Sequence, residues 1–136
     1  MRVYGETNFL LELAFDQGEA RSCDQLLTLS QAGSLTFVIP AVSIFEARQS
    51  LARRHEERRS THIKVDEELT LVLASVLGHL DSHPVDECCF LNRNWKDFAD
   101  PAVVEKLKAK RCKLLASFDD GLQYVVHRLG PLPPRR

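Results

Sequence analysis

The run Leu35-Thr36-Phe37-Val38-Ile39 is β-branched and apolar on both of its alternating faces. That pattern suits a strand covered from above and below, as in a parallel sheet. Pro40 follows it and has no N–H to extend a ladder, so the strand stops there. A strand buried on both sides requires a layer of helices on each face. The rest of the chain supplies them: Arg2-Val3-Tyr4-Gly5, residues 88–91 and residues 112–116 are further short strand-like runs, each separated from the next by helical patterns.

After Thr7-Asn8 the spacing of Phe9, Leu10, Leu13 and Ala14 makes one apolar helix face, with Glu12 and Asp16 outside and Gly18 as its terminator. Residues 19–32 form a second helix through Leu26, Leu27, Leu29 and Ala32, stopped by Gly33. A long helix over 42–59 turns Ile44, Phe45, Ala47, Leu51 and Ala52 inward and is heavily charged in its second half. Residues 65–80 repeat the pattern with Leu69, Val72, Leu73, Val76, Leu77 and Leu80, before an Asp81-Ser82-His83-Pro84 loop. Helices over 101–109 and 119–129 complete the series. Alternating strands and helices predict a doubly wound, Rossmann-like α/β fold: a three-layer α/β/α sandwich around a parallel sheet. Residues 1–130 form one domain, and 131–136 a Pro/Arg-rich tail.

With 136 residues, 44% of them hydrophobic, the chain has apolar material for a single core. The formal net charge of −1 provides no global attraction for nucleic acid. Cys23, Cys88, Cys89 and Cys112 lack zinc-ligand spacing and read as small buried hydrophobes, with Cys88 and Cys89 on opposite faces of a strand. No apolar run is long enough for a membrane span, and no signal-peptide pattern opens the chain, so the expectation is a cytoplasmic protein.

Three acids follow or close the first three strand-like runs: Glu6, Glu46 and Asp97. The ends of neighbouring parallel strands open on one crevice, where distant residues can converge. Clustered carboxylates suit Mg²⁺ or Mn²⁺, hard cations that prefer oxygen ligands. Plainer readings stand beside this one: Thr7 or Asn8 as a helix cap with Glu6 as a favourable nearby charge, Glu46 on a solvated face, and Asp97 in a polar surface turn. Glu46 sits among Ile44, Phe45 and Ala47, where an unmatched carboxylate would be costly.

The opening Glu6-Thr7-Asn8-Phe9-Leu10-Leu11, the Val38-Ile39-Pro40-Ala41 strand end followed by Glu46, and the segment Phe90-Leu91-Asn92-Arg93-Asn94-Trp95-Lys96-Asp97-Phe98 together resemble the PIN-domain family. These are small metal-dependent ribonucleases that include many toxin components of toxin–antitoxin pairs. The resemblance covers nearly the whole chain. It implies a divalent-metal-dependent endoribonuclease with one or two Mg²⁺ or Mn²⁺ ions in a shallow acidic pocket, an RNA substrate, an antitoxin protein as partner, and a homodimer. On this resemblance Glu6 and Glu46 match the first two acids, Asp97 or Asn94 the last acidic segment, and Thr7 and Asn8 the polar pair supporting the first acid.

This chain departs from the family pattern twice. Glu6 stands where Asp is usual, and the third acid falls in register with Leu69, leaving Asp66, Glu67 and Glu68 as neighbours, of which Glu68 substitutes if the stretch from Arg59 to Leu69 is rearranged. Arg48 and Arg53, in the densest basic stretch, and Arg93 are candidate RNA contacts, against the reading of an ion-paired helix end. The alternative function is a catalytically impaired domain that binds RNA or protein.

Overall fold

The computed structural model describes residues 1–55, 65–93 and 100–130, with side chains omitted at 50–55 and 65–70. Among them the chain runs β1 (Arg2–Tyr4), α1 (Thr7–Ala14), α2 (Ala20–Gln31), β2 (Thr36–Val38), α3 (Ala41–His55), α4 (Val65–Ser82), β3 (Cys88–Leu91), α5 (Pro101–Ala109), β4 (Cys112–Leu115) and α6 (Phe118–Leu129). The strands form one four-stranded sheet in the order β2-β1-β3-β4, parallel throughout. The expected α/β architecture with an all-parallel sheet is therefore present. None of these helices is long and apolar enough to cross a membrane.

Period-two alternation along the strands divides the core. Val3, Cys89 and Leu91 face a cluster with Phe9, Cys23, Leu26, Phe118 and Val125, from α1, α2 and α6. Tyr4, Cys88 and Phe90 face the other way, onto Val72, Val76 and Leu80 of α4 and Leu107 of α5. Cys88 and Cys89 thus do point to opposite faces. All four cysteines are buried free thiols, and burial pushes Cys23 and Cys89 up to about 12. The buried Tyr4 hydroxyl is matched by His79 Nδ1 at 2.7 Å.

Helix ends follow local chemistry. Ser117 caps α6 by accepting the Asp120 N–H at 3.0 Å, and Asp100 caps α5 by accepting the Ala102 N–H at 2.8 Å, with Pro101 at the first helical position. Gly33 closes α2 with φ 74°, as its position predicted. α1 ends at Ala14, earlier than Gly18, because Asp16 takes the left-handed turn at φ 47°.

Two side-chain orientations differ from the sequence pattern. Glu12 is fully buried, because Arg93 donates to its Oε2 and the Glu19 N–H to its Oε1, each at 2.5 Å. Ile44 and Phe45 are 49% and 61% exposed, while Ser43 and Ala47 are buried. A helix can turn only one stripe inward, and here the small residues Ser43 and Ala47 form it, which lets α3 pack against α1. Leu51 and Ala52 lie where side chains are not described.

Candidate functional site

The strand order places a switch point beside β1. From β1 the chain winds outward to β2, then crosses back over β1 to β3. Connections leaving the carboxyl ends of β1 and β3 in opposite directions open a crevice there. Glu6 leaves β1 at this edge, Asn92 leaves β3, and α3 begins three residues after the end of β2, bringing Glu46 in from the side.

Glu6 occupies the N-cap position of α1 with extended backbone (φ −133°, ψ −170°). It is only 7% exposed, and among the described residues its Oε1 is buried with no hydrogen-bond partner. Burial pushes its carboxyl group up to about 7; the nearby backbone N–H of Asn8 opposes this, the charge of Glu46 adds to it, and the Asn8 side chain and Thr7 N–H oppose it further. Thr7, itself buried, links α1 to α3: its hydroxyl donates to Glu46 Oε2, and Thr7 Oγ1 also lies 3.3 Å from the Ser43 carbonyl oxygen.

The structure therefore brings together Glu6, Thr7, Asn8 and Glu46 from two successive strand-to-helix connections. Ser43, fully buried in the same wall, was not singled out from the sequence, although it stands three positions before Glu46 and so on the same helix side. Arg48 is exposed on α3. Arg93 is held by the buried Glu12 at 2.5 Å, with 43% of its side chain exposed. Asn94 and Asp97 lie outside the described residues; Glu68 in α4 and Arg53 in α3 lie where only the backbone is described. Among the described residues no group of three or more His, Cys, Asp or Glu side chains assembles.

The donor set fits a hard divalent cation in kind. A buried carboxylate oxygen without a partner, next to a second carboxylate, is an arrangement that a cation or a proton must complete. The cavity of about 630 Å³ bordered by Asp81, Asp86, Lys110 and Arg111 is a different place, near the start of β4, where Lys110 pairs with Asp81. Comparisons of the chain with protein-family models, with curated proteins and with solved structures returned no match.

Proposed function

We propose that this chain is a divalent-metal-dependent endoribonuclease, with Glu6 and Glu46 holding Mg²⁺ or Mn²⁺ and Asp97 and Glu68 completing the set. The observation that carries this reading is the buried Oε1 of Glu6, without a hydrogen-bond partner among the described residues, beside Glu46. When bound, such an ion lowers the pKa of a coordinated water and offsets charge on a phosphodiester. The chain's own residues do the rest. Thr7 fixes the Glu46 carboxylate through its hydroxyl, Asn8 bears on Glu6, and burial of Glu6 makes it a poor anion until a cation arrives. Arg48, exposed two residues beyond Glu46, offers a charge to the phosphate backbone. The RNA substrate and an antitoxin partner follow from the resemblance to PIN domains.

The test is cleavage of a fluorescent RNA by the purified chain with Mn²⁺, with Glu6→Gln and Glu46→Gln as folded controls. Cleavage that survives both substitutions, or persists in excess EDTA, overturns the assignment. Leu69 in register with the family's third acid, and Asn94 where relatives carry an acid, support a second reading, an RNA- or protein-binding domain with an impaired metal site. Calorimetry separates the two: no heat with millimolar Mn²⁺ alongside retained RNA binding supports the second.

A further inference from the structure

β4 is an outer strand, hydrogen-bonded among the described residues to β3 alone. The Cys88 N–H donates to the Arg111 carbonyl and the Asn92 N–H to the Leu115 carbonyl. Residues of a parallel strand alternate in the side toward which their amide groups point, so Cys112 and Leu114 turn their N–H and C=O groups outward. Beside this edge lies a groove of about 490 Å³ between α5 and β4, with Val104, Leu107 and Leu114 as its apolar surface and Lys108 and Arg111 on its border. Lys113 also borders it, but its ammonium reaches to the opposite face of the sheet, 4.8 Å from the centre of the Tyr124 ring. The apolar groove is thus bordered by Lys108 and Arg111, and the other face carries Lys113 beside Tyr124, where Glu87 is paired with Arg128 at 2.7 Å. No acidic residue lines the groove among the described residues, and the Arg111 to Asp86 contact is long, at 3.9 Å, between two exposed side chains.

We propose that this edge accepts an extended acidic segment of a partner protein as a fifth strand. Strand side chains alternate, so one set enters the apolar groove while the intervening carboxylates lie beside Lys113. Charge selects this occupant. A second copy of the chain would bring Lys108, Arg111 and Lys113 against their own equivalents, and a lysine on an edge strand is a common guard against such pairing. The segment Gly130-Pro131-Leu132-Pro133-Pro134-Arg135-Arg136 suits the edge no better, because its prolines lack N–H donors and its arginines repeat the charge. The edge is separate from Glu6 and Glu46, and docking there stands whether or not RNA is cleaved.

The test uses the full chain and a labelled heptapeptide of alternating Val and Glu, followed by fluorescence anisotropy and by amide exchange at Leu114. Expected are saturable binding, slowed exchange of the Leu114 N–H, and a loss of affinity of about tenfold in a Lys108→Glu/Lys113→Glu variant whose circular dichroism is unchanged. N-methylation of alternate peptide amides abolishes binding. Equal binding of a Val-Lys heptapeptide, binding indifferent to N-methylation, unchanged Leu114 exchange, or no binding at millimolar peptide overturns the proposal. A doubled mass in light scattering, with Leu114 protected before any peptide is added, overturns it in favour of a second copy.

Discussion

The hydroxyl of Thr7 donates to Oε2 of Glu46, joining the first turn of α1 to the second turn of α3 across the carboxyl edge of the sheet. One neutral donor thereby orients Glu46, while burial pushes the carboxyl group of the adjacent Glu6 up to about 7.

Replacing Thr7 with Val keeps the shape and removes the donor. Supporting partners of metal-binding carboxylates typically contribute ~10–100-fold in affinity or activity, so Mn²⁺ affinity should fall by about that factor while stability falls by about 1 kcal/mol. Calorimetry with Mn²⁺ and urea unfolding check the two numbers separately. An affinity equal to wild type would show that Glu46 needs no such support.

Glu6 makes the stability of the metal-free chain depend on pH. Its carboxyl group titrates at about 7 when folded against an ordinary value of 4.5, so the folded state binds the proton more tightly than the unfolded chain does. The stability this gives is fully present below pH 4.5 and is lost as pH rises through 7. The full shift corresponds to about 3 kcal/mol. Glu6→Gln cannot ionise and should flatten this decline, making the variant in EDTA more stable than wild type at pH 8. Denaturant midpoints at pH 5 and pH 8 decide it; a variant weaker at pH 8 contradicts a neutral, buried Glu6.

The Glu12 and Arg93 pair ties α1 to the exit of β3. Glu12 is wholly buried, so Arg93→Ala leaves a carboxylate without its cation and should cost roughly 2 kcal/mol, less than a fully buried pair because Arg93 is half exposed. Adding Glu12→Gln should recover part of that loss. A double-mutant cycle in urea that shows no coupling would mean the Glu19 N–H alone satisfies Glu12.

Gly121 allows α6 to approach β3. A Cβ there would lie 2.5 Å from Leu91 Cδ2, inside the buried cluster, so Gly121→Ala should destabilise by about 1–3 kcal/mol although alanine is the better helix former. Pairing it with Leu91→Ala should relieve the clash, and thermal melts of the two variants provide the check.

Arg111 holds a left-handed backbone at φ 55°, a conformation that costs a non-glycine residue roughly 1–2 kcal/mol. Arg111→Gly should therefore stabilise the chain by up to about 1 kcal/mol in urea unfolding, since its side chain is exposed and its contact to Asp86 is weak. A loss of stability would assign that contact more weight than its 3.9 Å length supports.

Much of this architecture was legible in the residues. Strand runs buried on both sides, Gly33, Pro40 and Pro101 are local signals, and local backbone preferences mark where strands and helices begin and end. The alternation of elements then limited the sheet to a parallel one, because crossover connections join strands in that way. The convergence of Glu6 and Glu46 was also foreshadowed, since both leave a strand for a helix.

Orientation on the helices required the tertiary structure. Glu12 reads as a solvent residue, but its burial depends on Arg93, which is far away in sequence. Phe45 reads as core, but α1 accepts only one stripe of α3, and its close approach selected Ser43 and Ala47. The strand order that makes β4 an edge among the described residues, and the oxygen of Glu6 that has no partner among them, belong to the same class. Hydrophobic period and turn chemistry act over a few residues and are written in the chain, whereas the match of a buried charge or an open edge depends on which distant group packing brings beside it.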